Sequence, residues 1–466
     1  MLGLVLLASA CSSSPPTEGP SPTTGAPDGS TPAPVPEVTV EGMRAHLEAL
    51  QRIADKHGGT RAVGTPGYEA SVEYVAGVLR DAGYELELRS VDVPIFEQDA
   101  PTVLERLEPS RRAWVDGTDL RAMLFSASGE VRARVTAADG GCEPDDLSGF
   151  PEGDVALLEP GPCLRREQVV NAQNAGASAV VFPYPDTEAG RPLRPTLLYP
   201  DGIEVPALAV TPDVGDALAP DGGEPPTVLI RVGATSRWDE AESVIAETPS
   251  GDPARIVMLG AHLDSVMDGP GINDNGSGVA MLLEVARWLA SREAEATVRF
   301  AFWAGEEEGL YGSRDYVQAM PDEEREAMLA HLNLDMVGSP NFVRYVLADA
   351  PLDPSGAEGN EMIRDLFTGY FSDRGLDLEP IETHGGADHG PFAAEGIPVG
   401  GLFSGSADPK SSDQAEAYGG EAGQPMDACY HQACDTIRNV SDVALEQLSG
   451  ALVYVLTELA SVDAAA

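Results

Sequence analysis

His262, Asp274, Glu307, Asp335 and His431 occur in chain order inside five short motifs: AHLDS (261–265), GINDNGSG (271–278), FWAGEEEG (302–309), NLDMVGS (333–339) and ACYHQACDT (428–436). Imidazoles and carboxylates in this arrangement suit one two-metal hydrolase site. Zinc takes His nitrogen and carboxylate oxygen at about 2.0–2.2 Å, and paired metals lie about 3.5–4 Å apart, so a bridging group is required. Asp274, in a turn with glycines at 271, 276 and 278, is the natural bridge, because glycine lets the backbone bend and approach closely. Asp264, two residues beyond His262, shares its strand face and is placed to orient that imidazole. Glu306 and Glu307 are adjacent, so one can bind metal while the other faces the attacking water; Glu308 is expected on the solvent side of the following turn. A lone acid–imidazole pair is common on a solvated surface. Five in series are not accounted for by unrelated ion pairs.

Each candidate falls where a β-rich apolar run gives way to a Gly- or acid-rich loop. Open α/β sheets bind their ligands there, outside the carboxyl ends of the strands. From Ala254 onward, buried strands (ARIVMLGAHLDS, TVRFAFWAGE, HLNLDMVG, RYVLAD, IPVGGLFSG) alternate with helical patterns (GSGVAMLLEVARWLASR, a segment near YGSRDYVQAM, 358–374, and VSDVALEQLSGALVYVLTELAS). That alternation predicts an α/β fold, a mainly parallel mixed sheet with helices on both faces. Upstream, EGMRAHLEALQRIADKH and GYEASVEYVAGVLRDAG carry helical spacing, and ELELRSVDVPIF alternates as a strand. Residues 116–240 differ: short β-like runs, many Pro and Gly, and one helix at REQVVNAQNAGA, the character of an inserted lid or accessory domain. Of the remaining histidines, His46 and His57 are expected at the surface. His389 is expected to make structural hydrogen bonds.

The chain has 466 residues, 76 acidic against 29 basic, and a formal charge of −47. Such a charge repels nucleic acid and anionic membranes, so neither is expected as a direct partner. Met1 to Ala10 is too short to span a bilayer. Its small residues before Cys11 resemble a bacterial lipoprotein signal, with Cys11 as the lipidated residue and 12–36 as a Ser/Thr/Pro/Gly tether. A signal peptide normally carries a positive n-region, and no Lys or Arg precedes this apolar run; separately, a plain secretory signal with Cys11 incidental stays open. The other four cysteines can pair locally in an oxidising compartment, as Cys142–Cys163 and Cys429–Cys434, the second closing a loop around His431. The expected setting is extracellular or the surface of a bacterial cell, with any membrane contact made only through a lipid at Cys11.

These motifs resemble the M28 family of zinc peptidases, most closely the secreted bacterial double-zinc aminopeptidases, over most of 40–115 and 240–460. The resemblance implies a zinc exopeptidase fold over 37–115 and 241–466, with 116–240 as a protease-associated (PA) domain that shapes access to the site. It implies two zinc ions: His262 and Asp335 on one, Glu307 and His431 on the other, Asp274 on both. Glu306 becomes the general base acting on a water between the metals, and Tyr430 a stabiliser of the oxyanion. It also implies a cis peptide at Asp274–Asn275, peptide substrates with a free N-terminus, a monomeric enzyme, and in some members calcium, here near Asp442 and Glu446. Alternative activities within the family are carboxypeptidase and glutaminyl cyclase; a catalytically silent PA-domain binding protein would lack ligands that are present here. One departure is clear. Gly386 stands where the aminopeptidases carry Arg before Ser-Asp-His-x-x-Phe; this chain reads Gly385-Gly386-Ala387-Asp388-His389.

Overall fold

The computed structural model describes residues 37–138, 140–184, 187–188, 191–192, 194–219, 224–349 and 354–463. The signal-like run, Cys11 and the 12–36 segment lie outside the described residues. Four strands carry the chemistry. Asp252–His262 lies between Ala296–Trp303 and Met328–Leu334, parallel to both, and Val399–Phe403 pairs parallel on the far side of Met328–Leu334. Tyr345–Leu347 closes this end antiparallel to Val399–Phe403, with Glu379–Ile381 parallel beyond it. The sheet is therefore mixed, as expected from the alternation of strands and helices.

Helices cover both faces. Val40–Lys56, Pro66–Asp81, Gly276–Leu289 and Asp442–Ala460 pack one face around Leu47, Val75, Leu282, Phe300 and Leu452. Gly276–Leu289 is apolar nearly all round, because it is sandwiched between the sheet and other helices rather than facing water on one side. Its start is set by Asn275, whose side chain accepts from the Gly278 N–H at 3.0 Å. The opposite face is closed by Trp303, Tyr316 and Phe392. His46 is a correction: it is 5% exposed, bonded to the Tyr74 hydroxyl at 2.6 Å and to Glu284 at 3.2 Å. Its helix buries that face against Gly276–Leu289, so a polar residue there survives only with partners.

The expected strand ELELRSVDVPIF is longer than its alternation shows. Glu85–Glu108 pairs antiparallel with Thr227–Glu247 along nearly its whole length. Register shifts between Gln98 and Ala100 and between Ala100 and Val103 leave Pro101, which has no N–H to donate, outside the ladder. At one end Thr227–Glu247 pairs with Ala296–Trp303; at the other it pairs with Gly129–Ala138. From there a second small sheet runs parallel through Val155–Leu158, Ala179–Pro183 and Ala207–Val210. Its core gathers apolar side chains between Phe96 and Ala234, including Leu158, Val169, Phe182 and Ile230. The expected helix appears at Arg165–Asn174, joined by a short one at Pro212–Leu218. Cys142 and Cys163 are bonded, with Cα atoms 5.7 Å apart.

Candidate metal centre

His262 is the last residue of its strand, Asp335 follows directly on Leu334, and Glu306 and Glu307 follow Ala296–Trp303 by three and four residues. All four therefore emerge at the carboxyl edge of the sheet. Asp274 lies in the loop leading to Gly276–Leu289, and the cis peptide Asp274–Asn275 is present. Gly271 adopts φ +60°, and a Cβ on Gly278 would stand 2.5 Å from the Leu334 carbonyl oxygen, so two of the three turn glycines are sterically required. His431 sits inside the loop closed by the Cys429–Cys434 disulfide, with a left-handed backbone at φ 55°. Such a conformation is costly for a side chain with a Cβ, and the short covalent loop holds it in place.

The five side chains meet. His262 Nε2 is 3.2 Å from Asp274 Oδ1 and 3.4 Å from Asp335 Oδ1. His431 Nε2 is 3.2 Å from Asp274 Oδ2 and 3.2 Å from Glu307 Oε2. The two oxygens of Asp274 thus face different imidazoles, each accompanied by one further carboxylate. Tetrahedral ligands at zinc bond lengths of about 2.0–2.2 Å lie about 3.3–3.6 Å apart, close to these separations. Glu307 Oε1 is buried without a hydrogen-bond partner, a lone pair that a cation would satisfy. His262, Asp274 and Glu307 form a potential metal-binding group with ligand atoms within 4.8 Å of one another. The residues present fit two metal ions.

Electrostatics point the same way. Burial opposes charge on both imidazoles, yet Glu306, Asp335 and Asp274 around His262, and Glu307 and Asp274 around His431, hold both well above the ordinary histidine range. Burial also opposes ionisation of Asp274, but hydrogen bonds from His262 and His431 hold its carboxyl well below the usual range. This is an anionic pocket that demands positive charge. Glu306 is pushed well above the usual range by burial, then by Asp335, Glu307 and Asp388, with His262 pulling the other way. Tyr430 stacks on His431 with ring centroids 3.7 Å apart, and burial followed by the nearby carboxylates keeps its hydroxyl protonated.

Asp264 acts differently from expectation. His262 Nδ1 is 3.1 Å from the Asp264 backbone carbonyl, while the carboxylate stays 3.9 Å away. That carboxylate instead accepts the Glu306 and Glu307 N–H groups at 3.3 and 3.2 Å, because the two strand ends lie side by side. Asp264 therefore orients the imidazole through its main chain and the glutamate turn through its side chain. Glu308 is also corrected: it is half-buried and its Oε2 is buried without a hydrogen-bond partner, because the turn points it into a cavity shared with Phe96 and Phe125 rather than into open solvent. The calcium expectation gains no support, since Asp442 is already paired with the Arg44 guanidinium.

Three supporting residues escaped the sequence reading. Arg61, in the turn-like GTRAVGTPG, is fully buried and donates to the carbonyls of Leu263, Pro270 (2.9 Å) and Gly271 (2.6 Å), spanning the segments that carry His262 and Asp274. Asp435, beside Cys434, accepts the N–H groups of Asn273 and Asp274 at 2.9 and 3.0 Å. Asp349 accepts from His389 Nε2 at 2.7 Å, from the Gly385 N–H at 3.0 Å and from Thr383, shaping the loop that bears Gly386. His389 is wholly buried in that contact, a structural role as expected. Gly386 lines the metal cavity of about 160 Å³, together with Met336, Leu347, Leu402 and Phe403.

Comparison with known proteins agrees with this geometry. The family model described as "Peptidase family M28" matches residues 243–456, and the "PA domain" model matches 127–218. An aminopeptidase of Pseudomonas aeruginosa is 37% identical over 449 residues, 92% of this chain and 83% of the relative. A probable lipoprotein aminopeptidase, LpqL, of Mycobacterium tuberculosis is 37% identical over 424 residues, covering 88% of this chain and 82% of the relative. Among solved structures, the aminopeptidase from Aneurinibacillus sp. strain AM-1 superposes with a TM-score of 0.74 at 25% identity, covering 91% of this chain and 94% of that one. With its candidate ligand series at the edge of a mixed sheet and a PA domain within it, the chain belongs to peptidase family M28.

Proposed function

We propose that this M28 peptidase is a two-zinc aminopeptidase that removes N-terminal residues from peptides. The observation that carries the reading is the division of Asp274, one oxygen toward His262 and the other toward His431. In this reading His262, Asp335 and Asp274 hold one zinc, and His431, Glu307 and Asp274 the other. Bound zinc supplies Lewis-acid polarisation of the scissile carbonyl and a lowered pKa for water at the site. Glu306, its carboxyl lifted by burial, accepts the proton of the attacking water and returns it to the leaving amine. Tyr430, kept protonated, donates to the oxygen that becomes negative. Asp264 keeps Glu306 and Glu307 in register through their N–H groups.

The free α-amino group is directed to the carboxylate cluster, and the apolar Met336, Leu347, Leu402 and Phe403 accept its side chain, so an apolar N-terminal residue is favoured. Supporting the domain division, 37–115 and 241–466 with 116–240 inserted, is the separate apolar core between Phe96 and Ala234. In this reading the enzyme is a monomer, exported and held at the cell surface by acylation at Cys11; the two disulfides support export, and the lipoprotein name of the mycobacterial relative supports the anchor.

The test is hydrolysis of leucine p-nitroanilide by metal-quantified protein, with and without a chelator, beside Glu306→Gln. Chelator-sensitive turnover with about two zincs per chain is expected, and the variant should lose about 10²–10⁴-fold in kcat while keeping its zinc. Zinc loss in that variant would remove Glu306 from the role of base; absence of any chelator-sensitive turnover would sink the reading.

A further inference from the structure

The metal centre opens on two sides. One side is the apolar cavity just described; the other is a larger cavity of about 430 Å³ between the two cores. Both are lined by Glu307, Tyr430 and His431. A scissile bond held at those residues, with its N-terminal side chain in the first cavity, must send the leaving portion into the second. That volume lies within the range of about 300–1,000 Å³ typical of ligand sites.

The wall facing the centre belongs to the PA domain and its ribbon, and it combines Phe96 and Phe125 with two arginines, Arg121 and Arg194. Arg121 donates to Asp268 on the catalytic side. Arg194 Nη1 is 3.6 Å from the other Asp268 oxygen, beyond ordinary hydrogen-bond length. Its Nη2 donates to Gln98 at 2.7 Å and its Nε to the Ala122 carbonyl at 3.3 Å, which fixes the guanidinium in place. The next acid in reach, Asp116, is engaged by the Thr102 N–H at 2.8 Å and by Gln98 at 2.9 Å. Among the described residues, then, two guanidinia meet one carboxylate at this end of the cavity, with Glu308 on the opposite, catalytic wall. This occurs in a chain with 76 acids and 29 bases. Arg121 suffices to tie the PA domain to the 266–268 loop. Arg194, still 14% exposed, adds a fixed guanidinium whose Nη1 lies beyond hydrogen-bond length of Asp268 and so can donate to a carboxylate.

We propose that this cavity receives the leaving side of the substrate and that Arg194, aided by Arg121, binds a carboxylate there. The inference rests on the aminopeptidase reading. Two sources share that chemistry: the C-terminal carboxylate of a short peptide, or an acidic side chain just after the scissile bond. The zinc-loaded full chain is assayed for kcat/KM on Leu-Ala against Leu-Ala-amide, and on Leu-Glu-Ala-Ala-amide against Leu-Gln-Ala-Ala-amide. At least one pair should favour the carboxylate about ten-fold, the scale of a charge-assisted hydrogen bond, with the preference falling toward unity in Arg194→Gln. A preference in the first pair identifies the terminal carboxylate, and in the second the acidic side chain. Ratios near one in both pairs for the unaltered enzyme overturn the subsite while leaving the aminopeptidase reading intact. A preference undiminished in both Arg194→Gln and Arg121→Gln overturns the assignment to these arginines. Cleavage of none of the four peptides sinks the parent reading itself. The wild-type ratios decide the matter even if Arg194→Gln does not fold.

Discussion

Replacing Arg61 by Met leaves an unbranched apolar side chain that reaches about as far as Nε but strips the loops beneath the metal centre of their shared donor. Three buried carbonyls, of Leu263, Pro270 and Gly271, lose a charged partner. Each charge-assisted hydrogen bond contributes about 1.5–3 kcal/mol, and orphaned buried acceptors cost more than the bonds themselves return. Against this stands the cost of burying the guanidinium, which lowers its pKa to about 10 despite Asp264, Asp435 and Asp274 nearby. Removing one member of such a buried charged network typically costs about 3–5 kcal/mol. At about 2 °C per kcal/mol for a large domain, the midpoint of thermal unfolding should fall by about 6–10 °C. Because those loops carry His262 and Asp274, metal affinity should also fall by about 10–100-fold, the effect usual for residues that orient ligands. Thermal unfolding of zinc-loaded and zinc-free protein, with metal titration, reads both effects. Arg61→Lys, which keeps the charge but not the planar fork, should lie between wild type and Met. An Arg61→Met protein that unfolds within about 1 kcal/mol of wild type and binds zinc as tightly would refute the reasoning.

Other perturbations follow from the same contacts. Cys429→Ser with Cys434→Ser opens a loop with a sequence separation of 5, worth about 2 kcal/mol in chain entropy, and on the two-zinc reading should weaken the metal proposed at His431 more than the one proposed at His262. That difference is read by stepwise zinc release to a chelator. Leu282→Ala, wholly buried between the sheet and the surrounding helices, should cost about 2–5 kcal/mol with zinc content unchanged. Asp349 has a depressed folded pKa: burial opposes its ionisation, but hydrogen bonds from His389, Gly385 and Thr383 prevail. Its contribution to stability is therefore complete above the unfolded value of about 3.9 and is lost as pH falls through the lower folded value. Asp349→Asn should be less stable than wild type at neutral pH, and the gap should close in acid; an undiminished gap at low pH would contradict this.

The convergence of the five candidate ligands was legible in the sequence because their residue types are the chemistry and because strand ends are marked by apolar runs breaking into glycine and acid. The parallel sheet was legible for the same reason, since strands buried on both faces leave continuous apolar runs such as VMLGA and FAFWA. What the sequence hid was whatever acts at long range. Arg61 reaches partners 202 to 210 positions away, and nothing in GTRAVGTPG marks it as more than a turn. Asp435 lay inside a motif already singled out, yet its task, holding the backbone of a loop 161 positions upstream, has no local signature. A third consecutive acid such as Glu308 has the local pattern of a solvated residue; that it is half-buried beside the cavity lined by Phe96 and Phe125 depends on segments far away in sequence.

The paired strands Glu85–Glu108 and Thr227–Glu247 run unbroken from one hydrophobic core into the other. A domain hung on a single flexible tether can swing, be clipped off, or melt by itself. A domain whose two entry strands are hydrogen-bonded to each other, and through Thr227–Glu247 to the catalytic sheet, can do none of these independently. Excising it would sever two ladders and expose raw sheet edges on both halves, an invitation to aggregation. Heating should therefore melt both halves in one cooperative transition. On this architecture the width of the cavity between the two cores should be a fixed dimension of the folded chain, not a setting that thermal motion readjusts from one turnover to the next.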